Sequence, residues 1–559
     1  MTGSRSRYDV HGLVLDLGDA FPAADRRKLL KRLRDDVPAF AAIAASDGGA
    51  TPLGKDSSDV LVPFAEGRRV TVGRAWEAVH ALRAHPLVAD AEPAIGYRLD
   101  PAPEPARPPR PKTRRASSAG GADLPGSDPR DWSTRAVRAD AARAATGTSG
   151  RGVLVGHPDT GYTDHPLIQG PRLRKGDGFD FVDDDPDARD PLTGSFPGHG
   201  TATASVIFGE VTPALCGIAP GAALAPMRVS GSVIHFDFTR LIQALYRCRD
   251  RGCDLVSMSL GGPWAGRSLA RAADALVADG RILLGAAGNH TLMVIFPALL
   301  DSVIAVAASN AVDKPWSGSA SGAAVDITAP GESVWRALTH ARNGQVAFDT
   351  GRSDGTSYAT ATLAGVCALW LERHGGAAAL RQRYGGRLAS VFRDLLQASC
   401  RTPPGWNARR YGPGIVDANA LLAAPLPAFG GVRLHSAARP PGRASADADW
   451  ARLQRYVPEL GPRQLATAVA KLHGVAPAPG TARRSARSAP PPSLIDEIEF
   501  FLATDPAVRT AFVAAGGGAP KRGARRASAA KTTARTAADP AAALRRQGSA
   551  RLRAALAAD

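Results

Sequence analysis

The sequence is poor in cysteine, poor in aromatic residues and free of long apolar runs, and each shortage removes a class of protein. Five cysteines in 559 residues (Cys216, Cys248, Cys253, Cys367 and Cys400), with no Cys-x-x-Cys pair, are too few for a disulfide framework and fit a reducing compartment. No uninterrupted apolar stretch reaches the roughly 18 residues of a membrane-spanning helix, so no membrane partner is expected. Residues 1–10 pass into mixed sequence without the apolar segment of a secretory signal. A cytoplasmic location is therefore expected, with a specialised, non-classical export route as the alternative. Aromatics make up only 6%, yet hydrophobic residues reach 44%, enough to bury a large core and to exclude wholesale disorder.

The formal net charge of +17 invites a nucleic-acid reading, but the charge is unevenly placed. Residues 516–559 hold ten Lys or Arg against Asp539 and Asp559, a net of +8. Nearly half the excess thus sits in one tail, which reads as a solvated extension, and nucleic acid is not an expected partner.

Five segments follow from the pattern. Residues 1–100 alternate short apolar runs with two amphipathic helices, over 23–34 and 75–84, as a small α+β domain. Residues 101–131, rich in Pro, Arg, Ser and Gly, read as an exposed linker, with Arg114-Arg115 a candidate nick site. Across 132–425 buried strands (153–155, 254–259, 282–286, 303–307) alternate with helices (238–250, 269–278). That alternation predicts an α/β domain with a mostly parallel sheet and helices on both faces. Amphipathic stretches at 448–473 and 492–513 make 426–515 a helical extension, and 516–559 is expected to be a basic disordered tail.

In such a sheet, ligands belong at the carboxyl ends of the strands. Three segments there end an apolar run and expose one polar side chain each: Val155-Gly156-His157-Pro158-Asp159-Thr160-Gly161, Gly198-His199-Gly200-Thr201 and Gly355-Thr356-Ser357-Tyr358. A serine hydroxyl is a poor nucleophile until a base removes its proton, and the base needs a third group to fix its tautomer. Asp159, His199 and Ser357 supply one of each. A fourth segment, Gly285-Ala286-Ala287-Gly288-Asn289, closes another strand and offers the Asn289 amide to a developing oxyanion.

These segments, in this order, resemble the subtilisin-like serine peptidases, the subtilases. Ser259-Leu260-Gly261-Gly262, Gly217-Ile218-Ala219-Pro220-Gly221, Asp326-Ile327-Thr328-Ala329-Pro330-Gly331 and Tyr411-Gly412-Pro413-Gly414 extend the resemblance over about 132–422. It implies a three-layer subtilisin-like domain and a serine endopeptidase, with Asp159, His199, Ser357 and Asn289 as its catalytic set. It also implies that a protein or peptide substrate pairs its backbone with Ser259, Leu260, Gly261 and Gly262. The small residues there and at Ala287 and Gly288 leave room for an apolar side chain. The segment from Ala84 to Pro93 is similar to the end of subtilase propeptides, which implies a zymogen whose N-terminal domain inhibits in cis until the linker is cut. Departures stand at Pro158, at Ala202-Thr203-Ala204 and at Thr360-Ala361-Thr362-Leu363, and they mark a divergent branch.

Other readings compete. A transpeptidase or cyclase would use the same three groups, and a catalytically silent interaction protein would use the basic tail instead. His157 and His165 flank Asp159 and read as structural, and Cys216 and Cys367 as small buried thiols. No cofactor is required. The acidic run Asp183, Asp184, Asp185, Asp187 and Asp190 reads first as a solvated loop, with calcium as its alternative.

Overall fold

The structure is a computed structural model. It describes residues 8–18, 25–45, 49–97, 130–212, 215–234, 237–291, 293–342, 345–428, 452–461, 464–465, 467–468, 492–516 and 540–556. The chain divides into two compact units, one formed by residues 1–97 together with 439–559, the other by 98–438.

In the first unit an antiparallel sheet of order β2-β3-β1-β4 comprises β1 (Tyr8–Asp16), β2 (Thr51–Pro52), β3 (Asp59–Pro63) and β4 (Asp90–Tyr97). In β1 the exposed Asp9 and His11 alternate with buried Val10 before a continuously buried run from Gly12 to Leu15, and helix-period spacing explains α1 (Arg26–Asp36) and α3 (Val72–Arg83). The short α2 (Pro38–Ala41) opens on a proline, whose missing N–H would be unsatisfied at that position anyway. Leu13, Leu15, Leu33, Phe40, Trp76 and Leu82 are fully buried. The unit also takes in the helices Pro492–Thr504, Pro506–Ala515, Pro540–Gln547 and Ala550–Ala555. The last two lie within the stretch expected to be a disordered tail; 517–539 and residues 101–129 of the linker fall outside the described residues.

The second unit opens with α4 (Trp132–Ala136) and α5 (Ala139–Thr146) and is built on a seven-stranded sheet. In chain order its strands are β5 (Leu154–Asp159), β6 (Phe179–Asp180), β7 (Ala223–Arg228), β8 (Leu255–Met258), β9 (Ile282–Ala286), β10 (Val303–Ser309) and β11 (Ile327–Pro330). All neighbours pair in parallel, in the spatial order β11-β10-β9-β8-β5-β7-β6. The strands are almost continuously buried, as expected of a parallel sheet covered on both faces. The covering helices include α6 (His199–Phe208), α7 (Thr239–Asp250), α8 (Arg267–Ala278) and α9 (Thr356–Arg373). In α9 every residue from Thr356 to Leu371 is buried, which its all-round apolar sequence requires of a central helix. The hairpin β12 (Val334–Arg342) and β13 (Gln345–Ser353) adds two strands the pattern did not signal. The observed α/β architecture is the one expected. Among the described residues no helix is long and apolar enough to cross a membrane, and all five cysteines are free.

Candidate active site

Strand β5 ends on Asp159, and helix α6 begins on His199. Two glycines let these ends meet. A Cβ on Gly200 would lie 2.1 Å from the carbonyl oxygen of Gly161, and Gly161 itself has φ +100°. The result is a 2.7 Å contact between His199 Nδ1 and Asp159 Oδ1. Asp159 is fully buried, and the Thr160 N–H donates to the same oxygen at 2.8 Å. Burial alone would raise its carboxyl. The facing His199, their shared hydrogen bond, His157 and the Thr160 N–H outweigh it and hold the group below the usual carboxylate range.

The far side of Asp159 carries a second arrangement. Thr203 Oγ1 lies 3.3 Å from Asp159 Oδ2, and His157 Nε2 lies 3.0 Å from that hydroxyl. With Nε2 protonated, His157 donates to Thr203, whose proton is then available to Asp159. Burial pushes the His157 imidazole below its ordinary value, against the pull of the Asp159 carboxyl. Both partners follow from periodicity: Thr203 is one helical turn beyond His199, and His157 is two residues before Asp159 on the same strand face. That spacing is the signal by which Thr203 could have been found, while from the sequence His157 reads as structural. His165 faces elsewhere: its Nε2 meets the carbonyl of Asp349 at 2.9 Å, and its Nδ1 accepts from Leu167.

Ser357 occupies the first turn of α9, which packs against α6; the His199 ring lies 6.2 Å from the ring of Tyr358. The Ser357 hydroxyl donates to the carbonyl of Ser259 at 3.1 Å, and the Ser259 hydroxyl donates back to the carbonyl of Ser357 at 3.0 Å. The structure thus joins His199 to Asp159 by a hydrogen bond and does not join Ser357 to His199.

Asn289 sits on the loop after β9. Its Oδ1 accepts from the Thr356 N–H at 2.9 Å and from the Thr356 hydroxyl at 2.8 Å, so that oxygen is fixed as the acceptor. The Thr356 hydroxyl in turn accepts from the Gly288 N–H at 3.1 Å. The Asn289 Nδ2 donors make no hydrogen bond among the described residues. They lie against Gly355, where an added Cβ would be 3.4 Å away. A preset amide at the mouth of α9, beside the Ser357 N–H, is an arrangement suited to a developing oxyanion.

The segment proposed to pair with substrate is partly engaged already. The Gly261 N–H donates to Val233, and Gly262 exchanges two 2.9 Å bonds with Phe296. Ser259 and Leu260 are buried, as is Ala287, whose N–H donates to Val306. Gly288 has φ +116°. The acidic loop is also largely engaged: Arg228 pairs with Asp180 and Asp183, Asp187 accepts from the Tyr162 hydroxyl, and Asp190 from Thr160 and the Gly198 N–H. Among the described residues no group of three or more His, Cys, Asp or Glu is set to hold a metal ion. Cys367 is buried; Cys216 is half-buried, 3.3 Å from Arg143 Nη1.

The sequence profile described as the subtilase family matches residues 150–412. The chain is 29% identical to subtilisin DY of Bacillus licheniformis over 294 residues, 51% of this chain and 95% of that protein. It is 34% identical to an intracellular serine protease of Paenibacillus polymyxa over 231 residues, 40% of this chain and 67% of that protein. Several other subtilisins are spanned over only 46% of their length. Among solved structures, fervidolysin from Fervidobacterium pennivorans, a keratinolytic enzyme related to subtilisin, shares the fold. Its TM-score is 0.55 at 19% identity, over 76% of this chain and 62% of that one. This chain belongs to the subtilase family, and its central domain is a subtilisin-type serine peptidase.

Proposed function

We propose that the protein is a serine endopeptidase in which Ser357 attacks the scissile carbonyl, His199 is the general base and acid, and Asp159 orients His199. The observation that carries this reading is the 2.7 Å pair of half-buried His199 Nδ1 and buried Asp159 Oδ1 next to the first turn of α9. With Nδ1–H held by Asp159, the lone pair of His199 resides on Nε2, the nitrogen that takes the Ser357 proton. A carboxyl kept below its usual range stays ionised while His199 carries the transferred proton. The proton later passes to the leaving amine, and water repeats the cycle on the acyl-enzyme.

In the resting arrangement the Ser357 hydroxyl is turned to the Ser259 carbonyl. Rotation about χ1 releases it, at the expense of one neutral hydrogen bond worth about 1 kcal/mol. Catalytic hydrogen bonds are commonly unformed until substrate arrives. The Asn289 amide and the Ser357 N–H receive the oxyanion. Substrate runs extended along Ser259 to Gly262, with an apolar side chain near Ala287 and Gly288, and the N-terminal domain inhibits in cis until the linker is cut.

N-terminal sequencing of the purified wild type beside Ser357→Ala tests this reading. A wild type shortened within 101–131 and an intact variant are expected; identical N-termini at residue 1 and equal inactivity on a denatured protein substrate would refute it.

A further inference from the structure

The first unit joins segments more than 400 residues apart through one buried group. Glu497, within the helix Pro492–Thr504, is fully buried. Its Oε1 accepts from the Ser549 N–H at 2.6 Å, and its Oε2 from the Ser549 hydroxyl at 2.8 Å. The same Oε2 meets Nε2 of His80, itself 2% exposed on α3, at 2.7 Å. A buried carboxyl is tolerated only when its lone pairs are satisfied, and here the partners come from residues 80 and 549 together. Ser549 also caps the last helix, its hydroxyl accepting from the Leu552 N–H at 3.0 Å.

The contacts around this group have matched spacing. Trp76, His80 and Arg83 lie on one face of α3, and Glu497, Phe500 and Thr504 on one face of the helix that meets it. Arg83 pairs with Asp90 of its own domain at 2.9 Å and with Asp496 at 2.7 Å. The Phe500 ring lies 5.3 Å from Tyr8 and 6.3 Å from Trp76, and the Tyr8 hydroxyl donates to Thr504 Oγ1 at 2.9 Å. Gly73 supplies an independent sign of fit. A Cβ there would lie 2.7 Å from the carbonyl oxygen of Gly548 and 2.8 Å from that of Gln547. A glycine in the first turn of α3 is thus explained by the backbone of the C-terminal segment lying against it.

We infer that the C-terminal segments 492–516 and 540–556 are the built-in partner of the N-terminal domain and keep that domain on the chain after the linker is cut. The docking stands apart from the peptidase reading; its use as a retention device rests on linker processing. A single cut within 101–131 then frees the N-terminal domain covalently but not physically, and release needs a second cut beyond the peptidase domain or the opening of the Glu497 contacts.

The test separates the two readings by using a foreign protease. A full-length Ser357→Ala chain carries one engineered site within 101–129 and another within 429–451, and both are cut before gel filtration and mass analysis. The N-terminal and C-terminal fragments are expected to elute together, at one to one, whether or not the 130–428 fragment travels with them. Separate elution of all three, or an N-terminal fragment held by the central fragment alone, would overturn the inference. Gly73→Ala gives a second readout, because alanine is otherwise the better helix residue. At least a tenfold weaker association of the two fragments is expected, with unchanged helical content; unchanged or tighter association would overturn the assigned fit.

Discussion

Replacing Asn289 by aspartate isolates one donor from the structure that holds it. The side chains are nearly isosteric, and Oδ1 of either accepts from the Thr356 N–H and hydroxyl, the bonds of 2.9 and 2.8 Å that fix the start of α9. A carboxylate at a helix N-terminus is also favoured by the helix dipole. Stability is therefore expected to hold. What disappears is Nδ2, the amide that makes no other hydrogen bond among the described residues and is wholly available to an oxyanion. Loss of one such donor in a subtilisin lowers kcat about 10²–10³-fold, some 2.7–4 kcal/mol, and that magnitude is borrowed from the relative. An aspartate adds repulsion to the same charge, so the loss should be at least as large. KM should change little, because the donor acts in the transition state. Asn289→Ala should lose similar activity and also destabilise the protein by about 1–3 kcal/mol, since it strips the acceptor from the Thr356 N–H. Steady-state kinetics on a peptide anilide with an apolar residue before the scissile bond, paired with thermal melts, measures both. An Asn289→Asp enzyme that keeps more than a tenth of kcat with an unchanged melt would refute the oxyanion assignment.

Three further outcomes follow from the surroundings of the site. His157 is held below its ordinary value by burial, so between that folded value and about 6.5 the unfolded chain binds a proton that the folded one does not. Stability contributed by His157 is full above about pH 6.5 and is lost as pH falls below it, by at most about 1.4 kcal/mol per pH unit. In a Ser357→Ala background, His157→Asn should therefore show a shallower fall in melting temperature between pH 7.5 and 5.5 than the parent; equal slopes would refute it. Arg228, 6% exposed, reaches Asp180 at 2.5 Å, and Arg228→Leu leaves that buried carboxyl without its cation, an expected loss of about 3–5 kcal/mol. Because most of the loop's carboxylates are engaged by protein donors, EDTA is expected to leave the parent's melting temperature unchanged; a drop of several degrees would show that the loop holds a cation.

The peptidase domain was legible because each informative segment ends a strand or starts a helix, so motif and architecture point to the same sheet edge. Strands β9 and β10 stood out as apolar runs bounded by turns. The hairpin β12–β13 did not, because β13 is exposed along most of its length and its apolar alternation ends after Val346 and Phe348. The orientation of the Ser357 hydroxyl was also illegible, being set by a carbonyl 98 residues away. Composition made 516–559 read as a charged tail, yet Leu544 and Leu552 are buried in its helices. Three leucines, Leu544, Leu552 and Leu556, among many Ala and Arg give a weak signal until the surfaces that cover them are known, and those surfaces are the helix Pro506–Ala515 and α3.

The whole mechanism turns on whether Ser357 is activated by His199. Treatment with a fluorophosphonate, followed by peptide mass mapping, reads this at one atom. A single adduct on the peptide containing Ser357 is expected in the wild type, absent from Ser357→Ala and formed at least 10³-fold more slowly in His199→Ala. An unmodified Ser357 in a chain that still cleaves protein, or equal labelling with and without His199, would contradict it.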